Sequence, residues 1–432
     1  MSEFATAAAG IAEELASAPT AAAGNWRSDT IRLRDGVADG VVESTAGHDL
    51  YGGSAGIGWF LAHHARHACS AEQRAAARSA FEQALEASEG MLRQRQLSLY
   101  GGAAGVALAV EEGARAIEDP VLRAEAEQLA QHVAVAACTD RIAESDLISG
   151  KAGLIVALLA FAWARPNRTG ALRPAVRILS EQLVEEAEQG WWGAAWPEGG
   201  DPGLCGLGHG ASGIAWALAE AGAYLGDDRL REAARAALRY EAGRFDRHRG
   251  SWPDLRGTGS GKPSGWMDAW CHGAIGIGAV RWRLWEAERE PQLLAQATAA
   301  MATMRNRIIE ASRAGPDAKI DATLCHGLGG SIELMLLAYE VTGRAEHLAA
   351  ARKVGRLVLR LRDEQQGQWT VGLPGGRDVP GLFLGRAGIG TSLLRLDDPR
   401  AMPSPILPGL SSRRLRLAAV SQAVTLGMPH AG

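Results

Sequence analysis

Trp266-Met267-Asp268-Ala269-Trp270-Cys271-His272-Gly273-Ala274-Ile275-Gly276-Ile277-Gly278 shows the repeat unit of this chain in its fullest form. A Cys-His pair stands directly before a Gly-x-x-Gly that opens an apolar run. The arrangement returns at Cys325-His326-Gly327-Leu328-Gly329-Gly330, and in reduced form at His209-Gly210-Ala211-Ser212-Gly213. Working outward, the glycine pair recurs at Gly53/Gly56, Gly102/Gly105, Gly150/Gly153 and Gly385/Gly388, so the first glycines of seven copies lie 48 to 63 residues apart. One such pair means little in a chain with 54 glycines. Seven, each entering an apolar helical run, define a repeat.

Between the glycine pairs lie amphipathic segments rich in Ala, Leu, Arg and Glu: residues 71–88, 121–137, 171–188, 228–240, 291–309 and 345–361. Their charges fall opposite an apolar stripe, as on a surface helix. The runs after the glycine pairs, such as Leu154-Ile155-Val156-Ala157-Leu158-Leu159, are apolar nearly all round, as buried helices are. Each unit thus predicts one inner and one outer helix, and seven units predict an all-α (α/α)7 toroid. The glycines let helix ends approach closely and tolerate positive φ at the turn. One toroid domain is expected over residues 1–398, with a tail at 399–432 that has no assigned role. Two loops break the rhythm: the Trp191-Trp192 stretch leading to His209, and residues 245–265, containing Ser251-Trp252-Pro253-Asp254-Leu255-Arg256. Long loops of this kind often carry function.

The formal charge of −4 and the lack of a Lys/Arg-rich run argue against nucleic acid as a partner. No run of eighteen apolar residues occurs, so no membrane span is expected. The N-terminus carries Glu3, Glu13 and Glu14 and lacks the basic start and apolar core of a signal peptide. Five scattered cysteines suit a reduced protein rather than a disulfide framework, which points to the cytoplasm.

In a closed ring, equivalent positions share one height, so the residues before each glycine pair should gather around the axis at one end. Two residues before the pair stand Cys271 and Cys325; one before it stand His209, His272 and His326. Two thiolates and an imidazole suit zinc, and three protein ligands leave a fourth position open. Cys271, Cys325 and His326 are read as the ligands. Cys205, in a Gly-rich loop near His209, is a weaker alternative. His272 is read as lining the site or facing the surface, because adjacent side chains diverge. Asp146, four residues before Gly150, either caps its helix or joins the site. Cys69 and Cys138 are read as small buried hydrophobes.

The seven Gly-x-x-Gly units with Trp270-Cys271-His272-Gly273 and Cys325-His326-Gly327 resemble the lanthionine synthetase C-like peptide cyclases, over about residues 50–396. Asp146-Leu147-Ile148-Ser149-Gly150, the Ser251–Arg256 stretch and Pro380-Gly381-Leu382-Phe383-Leu384-Gly385 are most similar to the cyclase domain at the C-terminus of bifunctional class II lanthipeptide synthetases. The sequence starts where that domain would start, which leaves a free-standing cyclase or a piece of a larger enzyme. The resemblance implies a zinc site of Cys271, Cys325 and His326. It also implies addition of a peptide cysteine thiol to dehydroalanine or dehydrobutyrine, closing a lanthionine or methyllanthionine ring. By the same resemblance His209 is the proton donor, Asp146 the second polar active-site residue, and Trp270 a neighbour of the zinc. The implied partners are a dehydrated precursor peptide, leader plus core, and a separate dehydratase.

One departure stands out. Some members carry an Arg four residues before the first zinc cysteine, where this chain has Met267. A cation for the enolate then has to come from elsewhere, with Lys151 and Arg386 as candidates. The competing functional readings are a glutathione-adding relative that acts on dehydroamino acids, and a non-catalytic subunit that binds leader peptide or scaffolds a complex. An unrelated toroid glycosidase or terpenoid cyclase would need acidic pairs or Asp-rich motifs that the helix starts do not offer.

Overall fold

The structure is a computed structural model describing residues 1–18, 25–34, 37–139, 141–165, 170–197, 201–257, 263–313, 321–373, 375–377 and 379–409. Glu198, the glycines and lysine of the loop at 258–262, and the weak helix expected at 413–425 lie outside the described residues.

Helix α1 (Glu3–Ala16) opens the chain, followed by an antiparallel hairpin of β1 (Arg27–Arg34) and β2 (Val37–Thr45). Inner and outer helices then alternate. The inner set is α2 (Ser54–Ala68), α4 (Ala103–Ala116), α6 (Lys151–Ala164), α8 (Ala211–Leu225), α10 (Ala274–Glu288), α12 (Leu328–Thr342) and α14 (Arg386–Asp397). Interleaved with them are the outer helices α3 (Ala71–Arg93), α5 (Pro120–Thr139), α7 (Leu172–Glu186), α9 (Asp228–Gly243), α11 (Pro291–Arg313) and α13 (Ala345–Glu364). A short hairpin, β3 (Glu188–Gly190) and β4 (Gly193–Ala195), separates α7 from α8.

Each inner helix packs on the next, and α14 packs back on α2, so the inner ring is closed. The periodicity accounts for the layering. In α6 every residue from Lys151 to Ala162 is buried. In α9 burial is confined to the stripe Leu230, Ala234, Ala236, Ala237, Tyr240 and Glu241.

The sequence names six outer helices, and α14 has none after it. The seventh is α1, which packs on α14, α2 and α3. Its apolar stripe, Phe4, Ala8, Ile11, Ala12 and Leu15, is buried. Ser2 caps it by accepting from the Ala5 N–H, and the Ser2 hydroxyl also bonds Asp397 at 2.6 Å. The two ends of the ring are thereby tied together.

The glycine pairs act by close approach. A Cβ on the second glycine would lie 1.7 Å from the Leu99 carbonyl oxygen at Gly105, 2.1 Å from that of Trp270 at Gly276 and 1.8 Å from that of Leu382 at Gly388. Every helix start therefore rests on the carbonyl six residues before it. The expected positive φ at the first glycine is found in one unit alone. Gly273 has φ +93°, whereas the other six are extended, between −96° and −139°.

A circle of backbone hydrogen bonds joins the seven turns. The N–H of Tyr51 donates to the Tyr100 carbonyl, Tyr100 to Ile148, Ile148 to Gly208, Gly208 to Cys271, Cys325 to Phe383 and Phe383 to Tyr51, at 2.9 to 3.3 Å. Between Cys271 and Cys325 the donor is the preceding residue, Trp270, at 2.9 Å. All these residues stand two before a first glycine except Trp270, so repeat register has become one height at the mouth of the ring.

Packing runs on past residue 398: Ala401, Met402, Ile406 and Leu407 belong to the same core as the ring helices. Buried Arg395, paired with Glu333 at 3.0 Å, donates to the carbonyls of Pro399 and Met402. The Ile406 carbonyl accepts the Trp270 indole N–H at 3.0 Å. Among the described residues no helix is long and apolar enough to cross a membrane.

Candidate functional site

The circle of turns carries its side chains inward, and its two halves differ. On one side Tyr51 stacks on Phe383 (ring centres 4.9 Å apart), and Tyr100 and Trp270 meet Phe383 edge-on or tilted at 4.9 and 4.4 Å. On the other side one ligand atom each from Cys271, Cys325 and His326 lies within 4.8 Å of the others. Both thiols are buried and His326 is partly exposed. The group could hold a metal ion.

Local electrostatics favour a charged sulfur. Hydrogen bonds from the Cys325 thiol and then from His326 hold Cys271 well below the usual thiol range, against the opposing effect of burial. Cys325 is pushed up in return, because its proton is held against Cys271. The Tyr51 hydroxyl also hydrogen-bonds the Cys325 side chain. Behind His326, Nδ1 lies 3.8 Å from Asp321 Oδ2, and Asp321 is itself fixed by the Thr323 N–H at 2.7 Å. Arg307, on α11, donates to the carbonyls of Asp268 and His326 and so stitches together the two cysteine-bearing turns.

His209 stands on the neighbouring turn with its Nδ1 2.5 Å from Asp146 Oδ2. Burial disfavours its protonation, yet the Asp146 hydrogen bond and charge outweigh that and raise its pKa. Asp146 does not cap α6, whose N-cap Gly150 has no side-chain cap; its other oxygen accepts the Ser149 N–H at 2.6 Å in the turn before that helix. His272 is buried and stacks on His209, with ring centres 5.2 Å apart and planes 20° apart. Beneath this turn lies a fully buried ion pair, Glu241–Arg281 at 2.6 Å. Glu241 also accepts from the Gly206 N–H at 2.8 Å and from Ser212. The loop that presents His209 is thus pinned from below.

The sequence profile described as lanthionine synthetase C-like protein matches residues 44–407. The chain belongs to the lanthionine synthetase C-like family. Among solved structures, one named "Nisin cyclase" matches with a TM-score of 0.60 over 83% of this chain and 92% of that chain. Sequence identity between the two is 17%, so this likeness is one of fold.

Several expectations for this lanthionine synthetase C-like chain need correcting. Cys69 is exposed, because it ends α2 in the left-handed region (φ 55°) at the surface, and Cys138 is only partly buried. Cys205 lies outside the metal-type group. It is buried with Trp252, Leu255, Ala274 and Ile277, and burial pushes its thiol pKa up. Lys151 and Arg386 are engaged elsewhere. Buried Lys151 Nζ pairs with Glu186 at 2.8 Å, and Arg386 with Glu14 at 3.3 Å. Sequence reasoning also missed Tyr51, Asp321 and Arg307. Tyr51 was within reach, since it shares the register position of Cys271 and Cys325. Arg307 left no signal, being one charge among several on an outer helix.

Proposed function

We propose that this chain is a zinc-dependent lanthipeptide cyclase, which adds a peptide cysteine thiol across the double bond of dehydroalanine or dehydrobutyrine to form a thioether ring. The observation that carries the reading is the convergence of Cys271, Cys325 and His326 within 4.8 Å beside the His209–Asp146 pair. Membership of the lanthionine synthetase C-like family and the nisin cyclase fold support it. Two sulfurs and one imidazole nitrogen suit a borderline-soft ion such as zinc, and a three-ligand set keeps one position for a substrate atom. Zinc bound there supplies a lowered pKa to an incoming thiol, making it a nucleophile at neutral pH.

The chain's own residues do the rest. Inner-helix starts behind both cysteines favour negative charge at the mouth. Addition forms the C–S bond at the β-carbon and moves the π electrons toward the amide oxygen. The α-carbon then takes a proton, and we assign that transfer to His209, whose protonated form the Asp146 hydrogen bond and charge favour against burial. His209 recovers its proton from the thiol or from solvent, so atoms balance and product and substrate have equal mass. A dehydratase activity must act on the precursor first. The reading places the protein in the reducing cytoplasm, where Cys271 and Cys325 stay free.

Purified protein incubated with a dehydrated precursor peptide tests this. Thiol alkylation and mass measurement should show alkylatable cysteines disappearing without a change in peptide mass. Persistence of every free thiol with zinc bound would sink the reading, and adducts with added glutathione in place of rings would move it to an intermolecular addition.

A further inference from the structure

Charge that gathers on the amide oxygen during thiol addition needs a donor aimed at it. A preorganised donor there is worth several kcal/mol of barrier lowering. Neither Met267 nor the two cations expected from sequence can serve. Arg307 has both terminal nitrogens on backbone carbonyls, and Arg281 is buried against Glu241.

The loop at 251–256 offers a different group. Trp252 and Leu255 are buried in a small cluster with Cys205 and with Ala274 and Ile277 of the first turn of α10, which follows Cys271-His272 directly. The Trp252 indole donates to the Glu241 carbonyl at 3.0 Å, and Asp254 N–H to the Gly265 carbonyl at 3.0 Å. Between these anchors Arg256 turns outward with its side chain 47% exposed. Asp254 grips it at two points, Nε at 3.0 Å and Nη2 at 2.7 Å, and Nη2 also reaches the Met267 sulfur at 3.4 Å. Its remaining nitrogen, Nη1, makes no hydrogen bond among the described residues. The charge is felt across the site: Cys271 and Cys325 act on Arg256, and Arg256 opposes protonation of His209 and His272. A guanidinium held at two points, with one free edge, therefore stands against Met267, the side chain at the position where a cation was expected, four residues before Cys271.

We propose that Arg256 is a catalytic residue whose free guanidinium edge holds the acceptor amide oxygen as it becomes an enolate, with Asp254 as the positioning residue that aims it. The inference rests on the cyclase reading above. The step is an addition: the S–C bond forms, the C=C π pair moves to oxygen against Arg256, and the carbonyl returns as the α-carbon takes the proton from His209. Arg256 gains and loses no proton.

The test compares ring closure by the parent protein, Arg256→Gln and Arg256→Lys, each with zinc content, KM and kcat measured. Arg256→Gln should retain zinc and peptide KM while kcat falls roughly 100- to 1,000-fold, the size of losing one oxyanion donor. Arg256→Lys should recover part of that loss, since charge returns without the two-point grip. Guanidinium ion added at low concentration to Arg256→Ala should raise its kcat and leave Cys271→Ala inert. Parental kcat in Arg256→Gln, beside a parent that closes rings, overturns this inference and leaves the cyclase reading intact. A raised KM with unchanged kcat also overturns it, by making Arg256 a binding residue. A zinc-loaded parent inert toward dehydrated peptide takes both down together.

Discussion

Two halves of the mouth share one backbone design and carry different side chains. At the same register position the chain places Tyr51, Tyr100 and Phe383 on one side and Cys271 and Cys325 on the other, and one circle of hydrogen bonds runs through them all. The aromatic half is packed ring against ring, and Tyr100 and Phe383 have no exposed surface. The cysteine half carries the metal-type side chains, and the backbone irregularity falls there. Gly273 adopts φ +93°, and Trp270 rather than Cys271 donates to the next turn. The repeat thus supplies one backbone geometry to both halves, and the local departure from it falls in the unit that carries Cys271.

The strongest way to break this contrast is Cys271→Ala. It should lose zinc and abolish ring closure while the helical signal stays near that of the parent, as metal analysis, mass measurement and circular dichroism would report. Retained zinc with turnover would show that the cysteine half is not the reactive one. His209→Ala should keep its metal and lose kcat by roughly 100- to 10,000-fold, the usual range for a proton-transfer group. Parental turnover with zinc in place would remove His209 from the reaction.

Backbone geometry can be tested by one pair of glycines. Gly273→Ala forces a Cβ to 1.7 Å from the Met267 oxygen and a positive φ on alanine, whereas a Cβ at Gly52 meets nothing within 4 Å. Gly273→Ala should lower Tm, with a cost of at least about 1–3 kcal/mol, and weaken metal retention. Gly52→Ala, at the aromatic half, should stay within about 0.5 kcal/mol of the parent. Equal effects would show that close approach and positive φ at Gly273 carry no such cost.

The smallest expected effect is a shift in pH dependence. Asp146 raises the pKa of His209, and the donor is the protonated form, present below that pKa. Ring closure should therefore decline as pH rises through it. Asp146→Asn removes the charge that raises it, so the alkaline limb of the kcat profile should move to lower pH. An unmoved limb would assign the limb to another group.

Much of the ring was legible because the inner and outer helices carry their burial in their own periodicity. The apolar run at Leu154–Leu159 can only be buried, and the striped segment at 228–240 can only lie at a surface. Register counting also brought Cys271, Cys325 and His326 to one place, since equivalent residues in a closed ring share a height. It did not reach α1, whose partner α14 begins 370 residues after α1 ends. Nor did it reach Arg256. Nothing local distinguishes Arg256, for which we propose a role, from any arginine paired with an aspartate on a surface loop; what sets it apart is where Trp252 and Leu255 anchor that loop.

What the amino-acid order determined alone is the seven-fold helical repeat and the identity of the metal-type side chains, because helix periodicity and repeat spacing are properties of neighbours in the chain. Tertiary structure decided the rest: which terminal helix completes the outer ring, which turn is irregular, and which side chains pair behind the Cys/His group. Those outcomes depend on contacts between segments far apart in the chain, where packing and close backbone approach select one arrangement among many that local preferences allow.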